Sequence, residues 1–140
     1  MLRLFGARLG LDCHIYPSVR IWAPWRLEMG DRACLGPNVE CYNVDWIRVG
    51  RDAIVSQAAY LCSASHDYRS GGFELISAPV EVEEGAWIAA RAMLGPGVRV
   101  GRDAVVGMGA VVRRDVATGV VVSGNPAIEI NGNGRKRAKE

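Results

Sequence analysis

One histidine in this chain of 140 residues stands where it could carry out acid–base chemistry. His66 lies in the polar segment Ser65–Tyr68, and histidine suits a general base because its unperturbed pKa is about 6.5. A surface histidine without a role is an equally good interpretation of the residues alone. Asp67 could orient the imidazole or stabilise a turn, and we favour the second role. Tyr68 could line an acceptor pocket or pack the loop.

The other residues suited to chemistry do not form a metal site. His14 is far from His66 in the sequence, and we expect it on the surface. The four cysteines contain no Cys-x-x-Cys pair, and a zinc hydratase of the carbonic anhydrase kind needs three histidines where this chain has 2. We therefore predict that no metal is required and that the thiols are reduced, with Cys13 and Cys41 at core positions.

A period of six residues runs along most of the chain and predicts the elements that position His66. From Val82 to Val112 every sixth residue is aliphatic, and a small apolar residue stands four positions after each. Three such units make one triangular coil whose aliphatic side chains fill the interior. We therefore predict an all-β fold, a parallel β-helix of about five coils; an antiparallel β-sandwich explains the period poorly. The coils begin at Leu9, Met29, Val49, Val82 and Val100.

Three interruptions of the period all follow the third unit of a coil. Two-residue insertions follow Ile21 and Cys41, and a longer one, near residues 62–81, follows Leu61. We expect all three to leave the prism at one corner, the longest as a protruding loop. Aromatic faces with nearby polar groups suit sugar recognition, but they could equally pack this corner or a subunit interface. The residues concerned are Trp22, Trp25, Arg26, Asn43, Asp45 and Trp46.

Length and charge bound the remaining organisation. We predict one β-helix domain with short caps at residues 1–130 and a basic, disordered tail at 131–140. The net charge of +2 belongs to the tail, since the last six residues carry four positive charges and one negative. Because this charge belongs to a tail and not to a surface, we expect no nucleic-acid partner. We also expect no membrane insertion and a cytoplasmic location, because the sequence shows no long apolar run and no signal peptide. The N-terminal edge of the β-helix is thinly covered.

Four segments together resemble a known family, the hexapeptide-repeat O-acetyltransferases. They are the hexapeptide stretch Val82–Val116, Ser65–Tyr68, Gly85–Ala89 and the closing Gly124–Ala127. The likeness covers about residues 2–130 and is greatest to colanic acid biosynthesis acetyltransferases and the nodulation, maltose and galactoside group. It implies a left-handed β-helix, a homotrimer with active sites between subunits, and acetyl-CoA as donor to a hydroxyl of a saccharide or nucleotide-sugar. It also implies that His66 is the general base.

The same resemblance implies further site residues. Trp87 matches a tryptophan beside the reacting centre, or else lies at a subunit interface, and the Ala90 N–H matches a donor to the thioester oxygen. Residues implied to border coenzyme A are Ala92, Gly107, Ala110, Arg113, Arg114, Gly124, Asn125 and Pro126. Arg113 and Arg114 could meet phosphates or be a solvated pair. Residues assigned to the acceptor are Asn43, Asp45, Trp46, Asp67 and Tyr68.

Two features depart from the family pattern. Ile128-Glu129-Ile130 replaces a segment that often carries a basic residue, and the cluster 135–139 could compensate. Relatives usually carry more chain before the first coil, where it helps to shape the acceptor site. The alternative function is therefore a non-catalytic β-helix that serves as a scaffold or assembly subunit. The residues do not say whether the acceptor is O- or N-acetylated.

Overall fold

Short strands alternate with tight turns along the chain, as the six-residue period predicts. The computed structural model describes residues 1–130 and 132–136. Two 3₁₀ helices, Leu2–Phe5 and Pro24–Arg26, accompany the strands. In chain order the strands are β1 (Arg8–Leu9), β2 (His14–Ile15), β3 (Arg20–Ile21), β4 (Leu27–Met29), β5 (Cys34–Leu35), β6 (Glu40–Tyr42), β7 (Ile47–Val49), β8 (Ile54–Val55), β9 (Tyr60–Cys62), β10 (Ala64–His66), β11 (Leu75–Ser77), β12 (Val80–Val82), β13 (Trp87–Ile88), β14 (Met93–Leu94), β15 (Arg99–Val100), β16 (Val105–Val106), β17 (Val111–Val112), β18 (Val121–Ser123) and β19 (Ile128–Glu129).

Successive strands enter three parallel sheets in turn, which makes the molecule a triangular β-solenoid. Sheet A has the order β1-β4-β7-β12-β15 and sheet C the order β3-β6-β9-β14-β17. Sheet B has the order β2-β5-β8-β13-β16-β18-β19, in which β19 is antiparallel. We call the outer surfaces of these sheets face A, face B and face C. The predicted all-β parallel fold is confirmed.

The solenoid has about six turns, where the sequence predicted five. The sixth begins at Val116, which bridges Val100 in parallel, and it continues into β18, which pairs with β16. Val116 follows Val112 by four residues instead of six. The strict period therefore ends one turn before the parallel pairing does.

The interior is filled by the aliphatic side chains of the repeat. From the second turn to the fifth these side chains are nearly fully buried; Leu35, Ile88 and Val106 each have 0% exposure. In the first turn Leu9 and Ile15 are only partly buried against this core. The thin cover predicted for the N-terminal edge is therefore visible in the packing.

The three insertions leave the prism at the corner between sheets C and A, as predicted. The helix Pro24–Arg26 occupies this corner after β3, the segment 43–46 occupies it after β6, and the hairpin β10–β11 follows β9. These insertions stand on successive turns of the solenoid. The elements that carry the polar and aromatic residues are therefore stacked along one edge.

The described part of the C-terminal segment runs back along the corner between sheets A and B. The Gly134 N–H donates to the Gly119 carbonyl at 2.8 Å, and the Arg135 N–H donates to the Asp103 carbonyl at 2.7 Å. The Arg135 guanidinium reaches the Asp52 carbonyl at 2.9 Å. Residues 131 and 137–140 of the predicted tail lie outside the described residues. No helix of the described chain is long and apolar enough to cross a membrane.

Candidate active site

The longest insertion folds as a β-hairpin that carries His66 away from the prism. Strands β10 and β11 pair antiparallel, with His66 opposite Leu75. The connection is closed by the Asp67 N–H, which donates to the Glu74 carbonyl at 2.9 Å. His66 is thus the last residue of β10, and its side chain is exposed.

Two contacts with Phe73 fix the imidazole of His66. Nδ1 lies 2.9 Å from the Phe73 carbonyl oxygen, and the two rings are stacked, with centroids 4.3 Å apart and planes 1° from parallel. A carbonyl oxygen can only accept, so Nδ1 must carry the hydrogen. In the neutral ring the free electron pair is then on Nε2, which is the atom placed to accept a proton.

Asp67 and Tyr68 have local contacts in the same hairpin. The Asp67 carboxylate accepts the Arg69 N–H at 3.0 Å. This hydrogen bond stabilises a turn, which is the role that we favour for Asp67. Tyr68 is exposed, with the Arg69 guanidinium 5.5 Å from its ring centroid. That either residue contacts the molecule that accepts the acetyl group stays a prediction.

Asn43 and Asp45 hold the corner below the hairpin. The Asn43 amide is fully buried; its oxygen accepts the Ala23 N–H at 2.8 Å and its nitrogen donates to the Ala23 carbonyl at 2.6 Å. The Asp45 carboxylate accepts the Trp46 N–H at 2.6 Å, and its own N–H donates to Ser63 Oγ at 2.8 Å. The contacts of Asn43 with Ala23 and of Asp45 with Ser63 join successive turns. The Asn43 side chain is left with no surface that could contact the acetyl acceptor.

The aromatic residues of this corner divide between two surroundings. Trp46 lies on face A, where the guanidinium groups of Arg8 and Arg48 stand 4.9 and 5.3 Å from its ring centroid. Trp22 packs edge-on against Tyr42, and most of its surface is exposed. Trp25 is exposed as well. Trp22 and Trp25 thus leave ring surface free, while the ring of Trp46 has two guanidinium groups close to it.

Trp87 lies on β13 and points outward from face B. Its Nε1–H donates to Ser56 Oγ at 2.9 Å, and 41% of the residue is exposed. No hydrogen bond or ring contact joins it to His66 in the part of the chain that the structure describes. His66 leaves the corner between sheets C and A, so a single chain keeps these two residues on different sides of the prism.

The remaining small residues assigned to the donor lie at the turns between sheets B and C. Ala92 and Ala110 are fully buried, so only their backbone could border a ligand outside the prism. Ala90 is half-buried, and among the described residues no backbone or side-chain acceptor lies at hydrogen-bond distance from its N–H. At Gly107 a Cβ would come within 2.9 Å of Ser123 Oγ and 3.2 Å of the Val122 carbonyl oxygen, so this turn packs closely on β18 and favours glycine.

A cavity of about 580 Å³ lies beside the last turns and brings several predicted donor-binding residues together. Arg113, Arg114 and Pro126 line it over an apolar floor that includes Val112 and Val122. The Gly124–Pro126 turn is fixed on β17, since the Val111 N–H donates to the Gly124 carbonyl at 2.9 Å. Two guanidinium groups and an apolar wall fit a phosphate-bearing ligand with an apolar arm. Asp115 and Glu129 are also among the lining residues, and their negative charges oppose an anion there.

Burial disfavours the charged form of four other side chains that could act as nucleophiles, Cys13, Cys34, Cys41 and Tyr60. Burial raises the pKa of Cys41 to about 12 and also raises the pKa of Cys13 and of Cys34. The pKa of Tyr60 is raised above its usual range, mainly by burial and then by its hydrogen bond with Cys62. Among the described residues no group of three His, Cys, Asp or Glu side chains could hold a metal ion.

Sequence reasoning missed two partners of the site. Phe73 contacts His66, and Ser56 holds the indole of Trp87. The signal for Phe73 was the pair Gly71-Gly72 directly before it, which indicates a tight turn back toward β10. Ser56 stands in a turn position of the repeat, where no pattern marks it.

Comparisons with known proteins agree with this architecture. The family model described as bacterial transferase hexapeptide (six repeats) matches residues 79–114. The chain is 40% identical over 130 residues to the colanic acid biosynthesis acetyltransferase WcaF of Escherichia coli K12, which covers 93% of this chain and 71% of that protein. It is 34% identical over 128 residues to the galactoside O-acetyltransferase of the same strain, covering 90% of this chain and 55% of that one.

Solved structures show the same fold. A hexapeptide-repeat acetyltransferase from Vibrio cholerae, solved with acetyl coenzyme A, superposes with a TM-score of 0.87 at 25% identity, over 96% of this chain and 75% of that one. A maltose O-acetyltransferase from Clostridium difficile gives a TM-score of 0.85 at 20% identity, over 97% and 73%. The period, the solenoid and these relatives agree, and the chain belongs to the hexapeptide-repeat family of acetyltransferases.

Proposed function

We propose that this protein moves the acetyl group of acetyl-CoA to a hydroxyl of a saccharide or nucleotide-sugar, with His66 as general base. The observation that carries the proposal is the hydrogen bond from Nδ1 to the Phe73 carbonyl, which leaves the Nε2 electron pair available. The relatives named as colanic acid and galactoside acetyltransferases support the saccharide class. The Vibrio cholerae complex with acetyl coenzyme A supports the donor.

In the proposed reaction His66 moves one proton. Nε2 takes the proton of the acceptor hydroxyl as that oxygen attacks the thioester carbonyl carbon. The carbon–sulfur bond then breaks, and Nε2 returns the proton to the leaving sulfur. The Ala90 N–H is the proposed donor to the carbonyl oxygen as it becomes negative, because it is not engaged within the described chain.

The donor site that we propose follows the turns between sheets B and C toward the last coil. Trp87 and the backbone of Ala92, Gly107 and Ala110 would border the pantetheine arm. Arg113 and Arg114 would meet the phosphates, next to the Gly124–Pro126 turn. Glu129 weakens such a contact, so the two arginines must outweigh it.

For the acceptor we propose a site between the hairpin and the corner that carries the tryptophans. Trp22, Trp25 and Tyr68 expose ring surface there, and aromatic faces suit sugar rings. Asp45, Trp46 and Asp67 stay candidates at its border. The reaction would then serve polysaccharide biosynthesis in the cytoplasm, the location expected from the sequence.

We also propose a homotrimer, which the outer faces of the prism support. The outward strand positions of face B become apolar from the second turn onward, and those of face C from the third turn onward. They are Cys34, Ile54, Trp87, Val105 and Val121 on face B and Tyr60, Met93 and Val111 on face C. A trimer with a threefold axis uses two such faces of each subunit. It would also place Trp87 of one subunit beside His66 of the next, which one chain cannot do.

The test is an acetyl-transfer assay against a panel of monosaccharides and nucleotide-sugars. His66→Ala should lower the rate about 10²–10⁴-fold with the fold retained, because general-base catalysis contributes that much. His14→Ala is the matched control, since this histidine is also exposed but lies on face B. Full activity of His66→Ala would contradict the assignment. No transfer, together with no thermal stabilisation by coenzyme A, would favour the scaffold alternative.

A further inference from the structure

His66 owes its orientation to one residue in the structure. Phe73 supplies both the carbonyl that accepts from Nδ1 and the ring that lies parallel to the imidazole. The hydrogen bond selects the tautomer, and the stack fixes the plane of the ring. Together the two contacts set the direction in which Nε2 points.

The backbone at Phe73 is held in a conformation that serves this contact. Its φ is +48°, in the left-handed region that residues with a side chain seldom adopt. The turn is closed by the Phe73 N–H, which donates to the Ser70 carbonyl at 3.3 Å, and by the Gly72 N–H, which donates to Ser70 Oγ at 3.2 Å. The Ser70 hydroxyl in turn contacts the Glu74 carboxylate. Backbone strain of this kind persists where surrounding contacts maintain it.

Neither core packing nor Asp67 accounts for the contact between Phe73 and His66. Phe73 is 57% exposed, so its ring does not fill a core. Among the described residues no hydrogen bond joins the imidazole to Asp67, the residue that could have oriented it. Nδ1 of the imidazole contacts the Phe73 carbonyl, and the Asp67 carboxylate accepts the Arg69 N–H. The orienting role is therefore open to Phe73.

We propose that Phe73 is the positioning residue of His66, acting through its ring as well as its carbonyl; for its effect on catalysis this rests on the proposed function. An exposed imidazole held by one hydrogen bond can still change its plane by rotation about its side-chain torsions. The parallel aromatic ring removes this freedom and keeps Nε2 aimed at the acceptor hydroxyl.

The experiment compares Phe73→Ala with Phe73→Tyr. Alanine has the same backbone restrictions as phenylalanine but no ring, so kcat should fall about ten- to a hundredfold, with the KM for acetyl-CoA unchanged. Tyrosine restores a ring of the same shape, and its kcat should lie within about threefold of the parent. Ile76→Ala, at another exposed apolar position of the same hairpin, is the matched control and should change neither constant.

A second readout separates this inference from the proposed function. In protein labelled with ¹⁵N-histidine, the ring signals of His66 should report hydrogen on Nδ1 in the parent and in Phe73→Tyr. In Phe73→Ala the ring no longer holds the imidazole against the backbone carbonyl, so the hydrogen bond from Nδ1 should weaken and the signals should move toward the average of both tautomers. Parent-like signals and kcat in Phe73→Ala would overturn the inference, even in a well-folded variant. If His66→Ala is active but the tautomer shift occurs, the proposed function fails while the positioning of the ring stands.

Discussion

Face A and face B are built on the same repeat but present opposite chemistry to their surroundings. The outward positions of face A alternate in charge from strand to strand, and the register pairs each with its opposite. They are Arg8, Glu28, Arg48, Glu81 and Arg99. On face B the row that begins with His14 continues with Cys34, Ile54, Trp87, Val105 and Val121.

The repeat therefore determines the fold, whereas the residues at the outward positions determine which surroundings each face contacts. Charged side chains that neutralise their neighbours are stable in water, and Arg48 lies 3.1 Å from Glu81 and 3.8 Å from Glu28. An apolar row of this length instead favours contact with another surface. Face A is accordingly the face that we assign to solvent, and face B a face that we assign to a subunit interface.

The largest effect on stability is expected from substitutions inside the prism, where all the sheets contribute the same kind of aliphatic side chain. Ile88 stands next to Trp87 on β13, points inward and has 0% exposure. Ile88→Ala should lower the free energy of unfolding by about 2–5 kcal/mol, through lost burial and a cavity. Denaturant unfolding at fixed protein concentration measures this, with Trp87→Ala as the outward control from the same strand. A larger loss in the control would mean that the repeat interior does not dominate stability.

A smaller but more selective effect is expected on assembly. Ile54→Glu introduces a charge in the apolar row of face B, and Arg48→Glu changes an outward position of the same turn on face A. Burying an unpaired carboxylate at an interface should weaken association by at least about 2 kcal/mol, roughly thirtyfold in the dissociation constant. Sedimentation equilibrium should show dissociation for Ile54→Glu alone. Equal behaviour of the two variants would refute the assignment of the faces.

The fold was easier to predict from the sequence than the candidate site, because the fold follows from local spacing while the site depends on how particular turns and distant residues come together. Inward positions and phased insertions follow from local spacing, so the solenoid and its shared corner were predictable. The sixth turn was not, since Val116 breaks the six-residue step although it still bridges Val100 in parallel. Asn43 was assigned to the acceptor, yet its amide is bound to a backbone twenty residues earlier. Phe73 was missed because its contact depends on how one turn closes.

The smallest effect is expected on face A. The Arg48 side chain is 40% exposed and that of Glu81 is 36% exposed, and ion pairs at this exposure are weakened by water and salt. Arg48→Ala also removes one of the two guanidinium groups near the Trp46 ring, but we still expect a loss of only about 0.5–1 kcal/mol in the free energy of unfolding. Since screening acts on both ion pairs of Arg48, the difference from the parent should shrink in 1 M salt. Arg20→Ala, on face C, controls for the general effect of removing an outward arginine from the solenoid. A loss above about 2 kcal/mol that persists in high salt would mean that Arg48 is held by packing, and face A would then be more than a solvated ladder of charges.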